Sequence, residues 1–346
     1  MKEIRFGIIG AGNIAREHLG SMYSAKGVKC VGVCDKVYER AVDMVKDYPD
    51  QYRVYKDAQE MVESPDIDAV ILAVPNYQHN PMFLLAAKNG KHVLCEKPMA
   101  LNVKQCEEMI EAAEKYGIKG QMGFCTRFMR EIEAMKDHID AGNIGEAYFG
   151  QIDTLRSRGA PTGWFGNNEK SGGGPLIDMG VHYIDATWYL MGCPKPVSVK
   201  ALNYHKIENR YPKSEDIYAA YEQDTVYNVE DSSHGLITFE NGKGIMYQAS
   251  WSINVPRDGI AHMDIYGTKG GLRRHPLKFI REEESGMTET NLHYLDKDCF
   301  TAQHEAFGRV IRGEEESRAP LSQGAVMQRM LEGLYESART GKEVIL

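Results

Sequence analysis

Two side chains capable of acid–base chemistry stand four positions apart in the segment SGGGPLIDMGVHYID, residues 171–185. If this segment is helical, Asp178 and His182 lie on one face, because residues i and i+4 are neighbours on an α-helix. Histidine titrates close to neutral pH, so His182 is predicted to remove a proton from an alcohol, and Asp178 to orient the site. The simpler alternative is a solvated face with an ordinary i,i+4 pair.

The same segment has the pattern of a helix that packs one side against a core. Pro175 suits the first helical position, so the helix is predicted to begin near Gly174. The glycine run at 172–174 is expected to let the backbone approach a cofactor without clashes from Cβ atoms. Asp185 extends the polar stripe of Asp178 and His182. The core-facing stripe at helical spacing consists of Ile177, Val181, Ile184, Trp188 and Met191.

A lysine closes a predicted strand, KHVLCEKP at 91–98. Pro98 favours an extended conformation at Lys97, so the lysine side chain is expected to project from the sheet edge into a cleft. An ammonium group there would hydrogen-bond a substrate oxygen and stabilise developing alkoxide character. The alternative is a solvated lysine without a chemical role.

The chain begins with a strand that runs into a glycine turn, IRFGIIG followed by AGNIA. Gly10, Gly12 and Ala15 form a G-x-G-x-x-A pattern, in which the glycines allow a tight turn and a close approach to a pyrophosphate. The following helix offers its N-terminal N–H groups to the anion. Asp35 ends the second strand and would bind the adenosine ribose, which favours NAD over NADP, although Lys36 weakens that preference.

Parallel sheets bind ligands beyond the carboxyl ends of their strands, so the segment AVPNYQHN at the end of the third predicted strand is also expected near the cofactor. For His79 the alternative is a polar residue at a helix N-terminus. The predicted cofactor-binding set is Gly10, Ala11, Gly12, Asn13, Ile14, Asp35, Lys36, Val74, Pro75, Asn76, His79, Glu96 and Lys97.

Short apolar runs alternate with helical segments over the first 120 residues, which predicts βαβ units and a doubly wound parallel sheet. Longer strand candidates follow, including a hairpin with the turn ENGKG at 240–244. The fold class is therefore α/β: an N-terminal Rossmann domain, residues 1–122, and a C-terminal α+β domain, residues 123–346. The second domain is expected to contain a large open sheet, mostly antiparallel or mixed, and to bind substrate and form oligomers.

Composition narrows the class of protein. The net charge of −8 argues against nucleic-acid or membrane-surface binding. The seven cysteines are scattered without a Cys-x-x-Cys pair, so neither a disulfide framework nor a metal site is expected. No apolar run reaches membrane-spanning length, and the N-terminus reads as a strand rather than a signal peptide, which predicts a cytoplasmic protein.

Three segments together resemble one family of enzymes. GIIGAGNIA at 7–15, EKP at 96–98 and GGGPLIDMGVHYID at 172–185 occur in this order and are similar to the Gfo/Idh/MocA oxidoreductases. That family contains glucose–fructose oxidoreductase and inositol dehydrogenase. The closing LYESARTGKEVIL extends the resemblance over nearly the whole chain. It implies sugar or cyclitol substrates, and it maps the family's lysine onto Lys97 and its Asp-x-x-x-His pair onto Asp178 and His182.

A substrate set follows from the same resemblance and from side-chain chemistry. Arg127 resembles a recurrent arginine of the family, and the loop SRGAPTGWFGNNEKSGGG at 157–174 resembles members that act on sugars and glycosides. Guanidinium donors and an aromatic plane suit a sugar ring. Arg156, Arg158 and Trp164 lie on or near this loop. The alternative is surface arginines and a structural tryptophan.

The sequence thus predicts an NAD-dependent oxidoreductase that moves a hydride between nicotinamide and a secondary alcohol of a sugar, glycoside or cyclitol. One alternative is an NAD-dependent glycosidase that oxidises its substrate transiently before elimination. Another is a dinucleotide-sensing regulator without catalysis. An open sheet face usually needs cover, so a homo-dimer or homo-tetramer is expected, with no nucleic-acid or membrane partner.

Overall fold

A computed structural model describes residues 2–48, 50–157, 159–207, 226–255 and 261–346. The chain divides into two compact units: Met1–Cys125 with Lys297–Gln328, and Thr126–Asp296 with Arg329–Leu346. The change of unit after Cys125 lies close to the predicted boundary. The segment Lys297–Gln328 differs from the sequence interpretation, which placed it in the second domain. It joins the first unit because Phe307 and Val310 are part of that unit's apolar core.

The first unit contains a six-stranded parallel sheet, and it confirms the predicted Rossmann architecture. The strand order is β3-β2-β1-β4-β5-β6, so the order reverses between β1 and β4. The bounds are β1 Ile4–Ile9, α1 Asn13–Met22, β2 Val28–Cys34, α2 Tyr38–Val45, β3 Arg53–Val54, α3 Ala58–Glu63, β4 Ala69–Leu72, α4 His79–Lys88, β5 His92–Glu96, α5 Val103–Tyr116 and β6 Gly120–Gly123.

The central strands of this sheet are mostly apolar because helices cover both faces. Phe6 and Ile8 in β1, Ile71 in β4 and Leu94 in β5 are completely buried. Such an open sheet binds ligands at the carboxyl edge where the strand order reverses. This edge carries the glycine turn after β1 and the residues that follow β4 and β5.

The second unit is built on a large mixed sheet. Within its described residues, nine strands follow the order β14-β13-β12-β11-β7-β10-β9-β8-β15, with β7 and β10 parallel and the other neighbours antiparallel. The bounds are α6 Arg130–Asp140, β7 Ala147–Leu155, α7 Asn168–Ser171, α8 Val181–Leu190, β8 Pro196–Tyr204, β9 Ser232–Phe239, β10 Gly244–Ser250, β11 His262–Gly267, β12 Gly271–Arg273, β13 Lys278–Glu283 and β14 Gly286–Asn291.

The chain ends with α9 Cys299–Arg312, α10 Leu321–Thr340 and β15 Val344–Ile345. Helix α10 has its first residues in one unit and those from Arg329 onward in the other. In the part of the chain described by the structure, no helix is both long and apolar enough to cross a membrane.

Candidate active site

The glycine turn after β1 has the backbone geometry that its sequence requires. Gly10 has a φ of +105°, and a Cβ atom there would lie 2.2 Å from the carbonyl oxygen of Ala73, so only glycine fits. Gly12 precedes α1, and a Cβ atom on it would meet nothing within 4 Å, which leaves open space beside the helix N-terminus. Ala15 is completely buried where α1 packs on the sheet. This turn fits a dinucleotide pyrophosphate.

Asp35 holds the glycine turn from the end of β2. Its Oδ2 accepts the backbone N–H of Ala11 at 2.8 Å, and its Oδ1 accepts that of Val37 at 2.8 Å. A carboxylate has about four acceptor positions, so these two bonds leave capacity for ribose hydroxyls. Lys36 is exposed beside it. The residues present therefore fit an adenosine ribose, and Asp35 also has a structural task that the sequence did not indicate.

His79 links the ends of two neighbouring strands. Its Nδ1 lies 2.7 Å from the carbonyl oxygen of Pro98, and its Nε2 lies 3.0 Å from that of Val74. Burial lowers the pKa of His79, although hydrogen bonding to Pro98 and the charge of Glu96 oppose this. His79 is 1% exposed, so in this structure it is a brace between the segments after β4 and β5. Asn76 is also buried, whereas Val74 and Pro75 remain half-buried at the sheet edge.

Glu96 and Lys97 end β5 at the same edge. Glu96 is 5% exposed, and its Oε2 accepts the backbone N–H of Lys97 at 3.3 Å. Lys97 is half-buried. Gly123 on β6 makes room for the carboxylate, because a Cβ atom there would lie 2.6 Å from Glu96 Oε1. A buried acid therefore stands directly beside the candidate substrate-polarising lysine.

The helical segment with Asp178 begins differently from the predicted uninterrupted α-helix. Leu176–Gly180 form a π-helical turn that leads into α8 at Val181. Single π-turns are rare and occur often at functional sites. The buried indole of Trp251 donates from Nε1 to Asp178 Oδ2 at 3.0 Å. Trp251, which no local sequence pattern indicates, thus fixes the Asp178 carboxylate.

His182 lies one position into α8 and is half-buried, although most of the helix is buried. Its Nδ1 lies 3.4 Å from Thr126 Oγ1. The predicted core stripe is confirmed, since all of its members are buried. These are Ile177, Val181, Ile184, Trp188 and Met191.

A buried acid anchors the start of this helical segment. Glu230 accepts the backbone N–H groups of Gly174 at 3.0 Å and Leu176 at 3.3 Å, and the hydroxyl of Tyr335 at 2.8 Å. Burial raises the pKa of Glu230, while these hydrogen bonds oppose the shift. The glycine run has a local reason as well, because a Cβ atom on Gly173 would lie 1.9 Å from the Tyr335 hydroxyl.

Arg127 is placed against α8 rather than on an accessible surface. It is completely buried, with Nε 2.8 Å from Asp185 Oδ2 and Nη2 2.6 Å from Oδ1. Its guanidinium also lies over the Tyr189 ring, 4.9 Å from the centroid. Asp185 therefore belongs to an internal ion pair, and the predicted polar stripe is solvated only in part. The structure gives Arg127 a positioning contact with α8.

The remaining predicted substrate residues lie on the segment before α8. Arg156 is half-buried just beyond β7, and Trp164 stacks on Phe165 with ring centroids 4.1 Å apart. Arg158 lies outside the described residues. Among the residues that the structure does describe, no group of three histidine, cysteine or acidic side chains has the arrangement of a metal site.

Comparison with known proteins identifies the enzyme family to which the chain belongs. Residues 4–124 match the model of an oxidoreductase family with an NAD-binding Rossmann fold, and residues 132–273 match the GFO/IDH/MocA C-terminal domain. The chain is 33% identical over 347 aligned positions to D-glucoside 3-dehydrogenase of Escherichia coli, covering 99% of this chain and 97% of the relative. The protein belongs to the Gfo/Idh/MocA oxidoreductase family, which confirms the predicted resemblance.

Two further similarities extend this result. A scyllo-inositol 2-dehydrogenase (NAD(+)) of Bacillus subtilis is 33% identical over 191 residues, covering 55% of this chain and 54% of the relative. The crystal structure of an aldose-aldose oxidoreductase from Caulobacter crescentus superimposes with a TM-score of 0.83 at 25% identity, covering all of both chains. The chain is thus an NAD-binding oxidoreductase by family and by fold.

Proposed function

We propose that this protein is an NAD-dependent dehydrogenase acting on a secondary hydroxyl of a sugar, glycoside or cyclitol. The observation that carries the proposal is the 33% identity to a D-glucoside 3-dehydrogenase along 97% of that enzyme. The scyllo-inositol relative extends the substrate class to cyclitols. NAD is favoured over NADP because Asp35 would repel a 2′-phosphate. The active species is a homo-oligomer, a dimer or a tetramer.

Several residues of the chain have separate roles in the proposed reaction. When bound, NAD supplies the nicotinamide carbon that accepts the hydride. His182 removes the hydroxyl proton, since an imidazole titrates near neutral pH. Lys97 hydrogen-bonds the same oxygen and stabilises its developing negative charge. Asp178, held by Trp251, orients the site and favours the charged form of nearby cations.

The cofactor would be held by the carboxyl edge of the first sheet. Gly10, Gly12 and the N-terminus of α1 would receive the pyrophosphate, and Asp35 the ribose hydroxyls. The segments Val74–Asn76 and Glu96–Lys97 would line the remainder of the cofactor. For the substrate, Arg156 and Trp164 offer a donor and an aromatic plane, while Arg127 supports α8 through Asp185.

The test measures binding and turnover separately. Fluorescence titration with NADH and with NADPH gives the two affinities, and we expect NADH to bind more tightly. A panel of glucosides, free sugars and inositols is then added with NAD⁺ while NADH absorbance is followed. We expect NADH to accumulate with at least one substrate.

Two other outcomes would contradict the proposal. Release of an aglycone without net NADH would identify a glycosidase with a transient oxidation step. Tight NADH binding without turnover on any member of the panel would identify a dinucleotide-sensing regulator.

A further inference from the structure

A buried chain of titratable side chains runs away from Lys97 through the first unit. His18 Nε2 lies 3.0 Å from Glu96 Oε1, and His18 Nδ1 lies 2.8 Å from His304 Nε2. His304 Nδ1 lies 3.3 Å from Ser21 Oγ. Both imidazoles are 0% exposed and Glu96 is 5% exposed. The proposed function gives no task to His18, Ser21 or His304.

The chain of contacts ends at the surface. Ser21 is half-buried and lines a cleft of about 280 Å³ with Arg16, Glu17, Ser24 and Asp298 among its walls. Glu96 therefore has a hydrogen-bonded connection to solvent that leads through two rings and one hydroxyl. The two imidazole nitrogens are too close to share a metal ion, since tetrahedral ligands at about 2.1 Å lie roughly 3.4 Å apart.

The contacts allow two complete hydrogen-bond patterns. In the first, Glu96 is ionised, Ser21 donates to His304 Nδ1, His304 Nε2–H donates to His18 Nδ1, and His18 Nε2–H donates to Glu96. In the second, Glu96 is protonated and donates to His18 Nε2, while His18 Nδ1–H and His304 Nδ1–H each donate outward. Ser21 can then donate to the carbonyl oxygen of His18, 3.0 Å away.

The two patterns differ by one proton, and both imidazoles are neutral in each. A neutral His304 suits this site because burial, with a smaller contribution from His18, lowers the pKa of His304 well below its usual value. A proton that enters at Ser21 passes to His304 Nδ1. The Nε2 proton of His304 moves to His18 Nδ1, and the Nε2 proton of His18 moves to Glu96. Release is the reverse, so protons balance and neither ring has to turn.

We propose that the chain Ser21–His304–His18 is the path by which solvent protonates and deprotonates Glu96, and that the charge on Glu96 acts on the segment that carries Lys97, whose backbone N–H this carboxylate accepts. His18 and His304 are therefore positioning residues that act through Glu96. This role of the chain rests on the proposed function, in which Lys97 polarises the substrate oxygen.

Other titratable groups near the path are His79, Cys95 and Cys125, which feel the charge of Glu96. Glu17 and Asp298 line the surface cleft. All of them must be considered when a pH-dependent change is assigned. The signature of the proposed path is a change of tautomer in both rings at once, which none of these groups would produce alone.

The test is histidine imidazole ¹⁵N NMR on the full chain without cofactor, followed across the pH range in which the protein stays folded. His18→Gln and His304→Gln assign the signals. We expect the protons of both rings to move from Nδ1 to Nε2 with one shared midpoint as pH rises, and Glu96→Gln to abolish the transition. Rings that keep one tautomer throughout, or that titrate separately to imidazolium, would overturn the proposal.

A second measurement distinguishes a path for protons from a hydrogen-bond network with a purely structural role. In His304→Gln the amide can donate to His18 and accept from Ser21, but it cannot pass a proton. We expect His18 to stay protonated at Nε2 at every pH in this variant, while the melting temperature changes little. The matched control is His138→Gln on α6, where a solvent-accessible histidine contacts Asn143 at 3.0 Å. It should leave both buried rings unchanged.

The NMR transition needs neither substrate nor turnover, so its result does not depend on whether the protein is a dehydrogenase. Where NADH formation is found, the pH profile of kcat/KM adds the link to Lys97. We expect His304→Gln to remove one ionisation from this profile that the wild type shows. An unchanged profile would refute the connection between the chain and Lys97.

Discussion

At the scale of the residue, His182 carries the proposed proton removal. It is half-buried in a helix that is otherwise mostly buried, and Thr126 is within 3.4 Å of its Nδ1. We expect His182→Ala to lower kcat by about 10²–10⁴, the usual contribution of a general base, because no other group is proposed to take the hydroxyl proton. NADH should still bind with nearly the wild-type Kd in a fluorescence titration.

The neighbouring Tyr183→Phe is the matched control for this change, since Tyr183 is equally half-buried on the same helix turn. It should retain most of the turnover. If His182→Ala kept near-normal turnover, the base would have to be sought elsewhere.

Lys97 makes a second prediction at this scale. Methionine keeps the length and the apolar stem of lysine but removes the ammonium group, so Lys97→Met should lower kcat by about 10²–10³. KM should change far less, because the lost interaction strengthens in the transition state. The measurement is steady-state kinetics beside Lys88→Met, which alters an exposed lysine on α4. A loss confined to KM would show that Lys97 binds substrate without polarising it.

At the scale of the element, the start of α8 is set by tertiary contacts. Glu230 accepts hydrogen bonds from the N–H groups of Gly174 and Leu176, and Trp251 donates one to an oxygen of Asp178. Trp251→Phe keeps an aromatic ring but loses the Nε1–H donor. We expect kcat to fall about tenfold and its pH dependence to shift, because Asp178 would no longer be held in one orientation.

The control for Trp251→Phe is Trp188→Phe on α8. Trp188 is also a buried tryptophan, and its Nε1 donates to the carbonyl oxygen of Pro194 at 2.8 Å. Both variants should lose similar stability in a thermal melt. Equal kinetic effects of the two would mean that packing, rather than the bond to Asp178, explains the result.

Local patterns predicted most elements of this fold. The β1–turn–α1 unit, the parallel strands and the hairpin of β9 and β10 follow from apolar runs, glycine turns and the ENGKG loop, in which Asn241 and Gly242 have positive φ. The π-turn was not predicted, because Leu176–Gly180 fit an α-helical pattern equally well. The contacts that explain it come from Glu230 and Trp251, more than 50 positions along the chain.

The same limit applies to the candidate site. Asp178, His182 and Lys97 were selected by residue type and motif, and the structure supplies supporting partners for each segment. The sequence offered no signal for Arg127 pairing with Asp185, or for His18 meeting His304 across 286 positions. Such pairs form by tertiary contact between distant segments of the chain, so no local periodicity in the sequence indicates them.

At the scale of the whole molecule, the chain leaves the first unit after Cys125 and returns to it at Lys297. This return places α9, with His304 and Phe307, against the first sheet's core. A prediction with a single domain boundary could not show that the chain returns to the first unit, because α9 has the composition of an ordinary amphipathic helix. The residues that would connect Glu96 to solvent therefore come from both ends of the first unit's sequence.

The large sheet exposes a group of apolar side chains on one face. Leu236 pairs with Met246 across β9 and β10, and Leu202 on β8 lies diagonally from Leu236, whose direct partner on β8 is Lys200. All three apolar side chains are exposed, and in neighbouring rows Phe149 stacks on Tyr266 at 6.3 Å. Exposed apolar side chains grouped in this way are typical of interfaces, and we expect a second copy to cover them by two-fold symmetry, in line with the proposed oligomer.

We therefore expect Leu236→Glu combined with Met246→Glu to shift the protein to monomers, because two buried and unpaired carboxylates would oppose the interface. Sedimentation velocity over a range of concentrations measures this. Val42→Glu, an equally apolar and exposed position on α2 of the first unit, is the control and should leave the oligomer intact. A wild-type protein that sediments as a monomer, or a double variant that stays assembled, would show that this face of the sheet does not join the subunits.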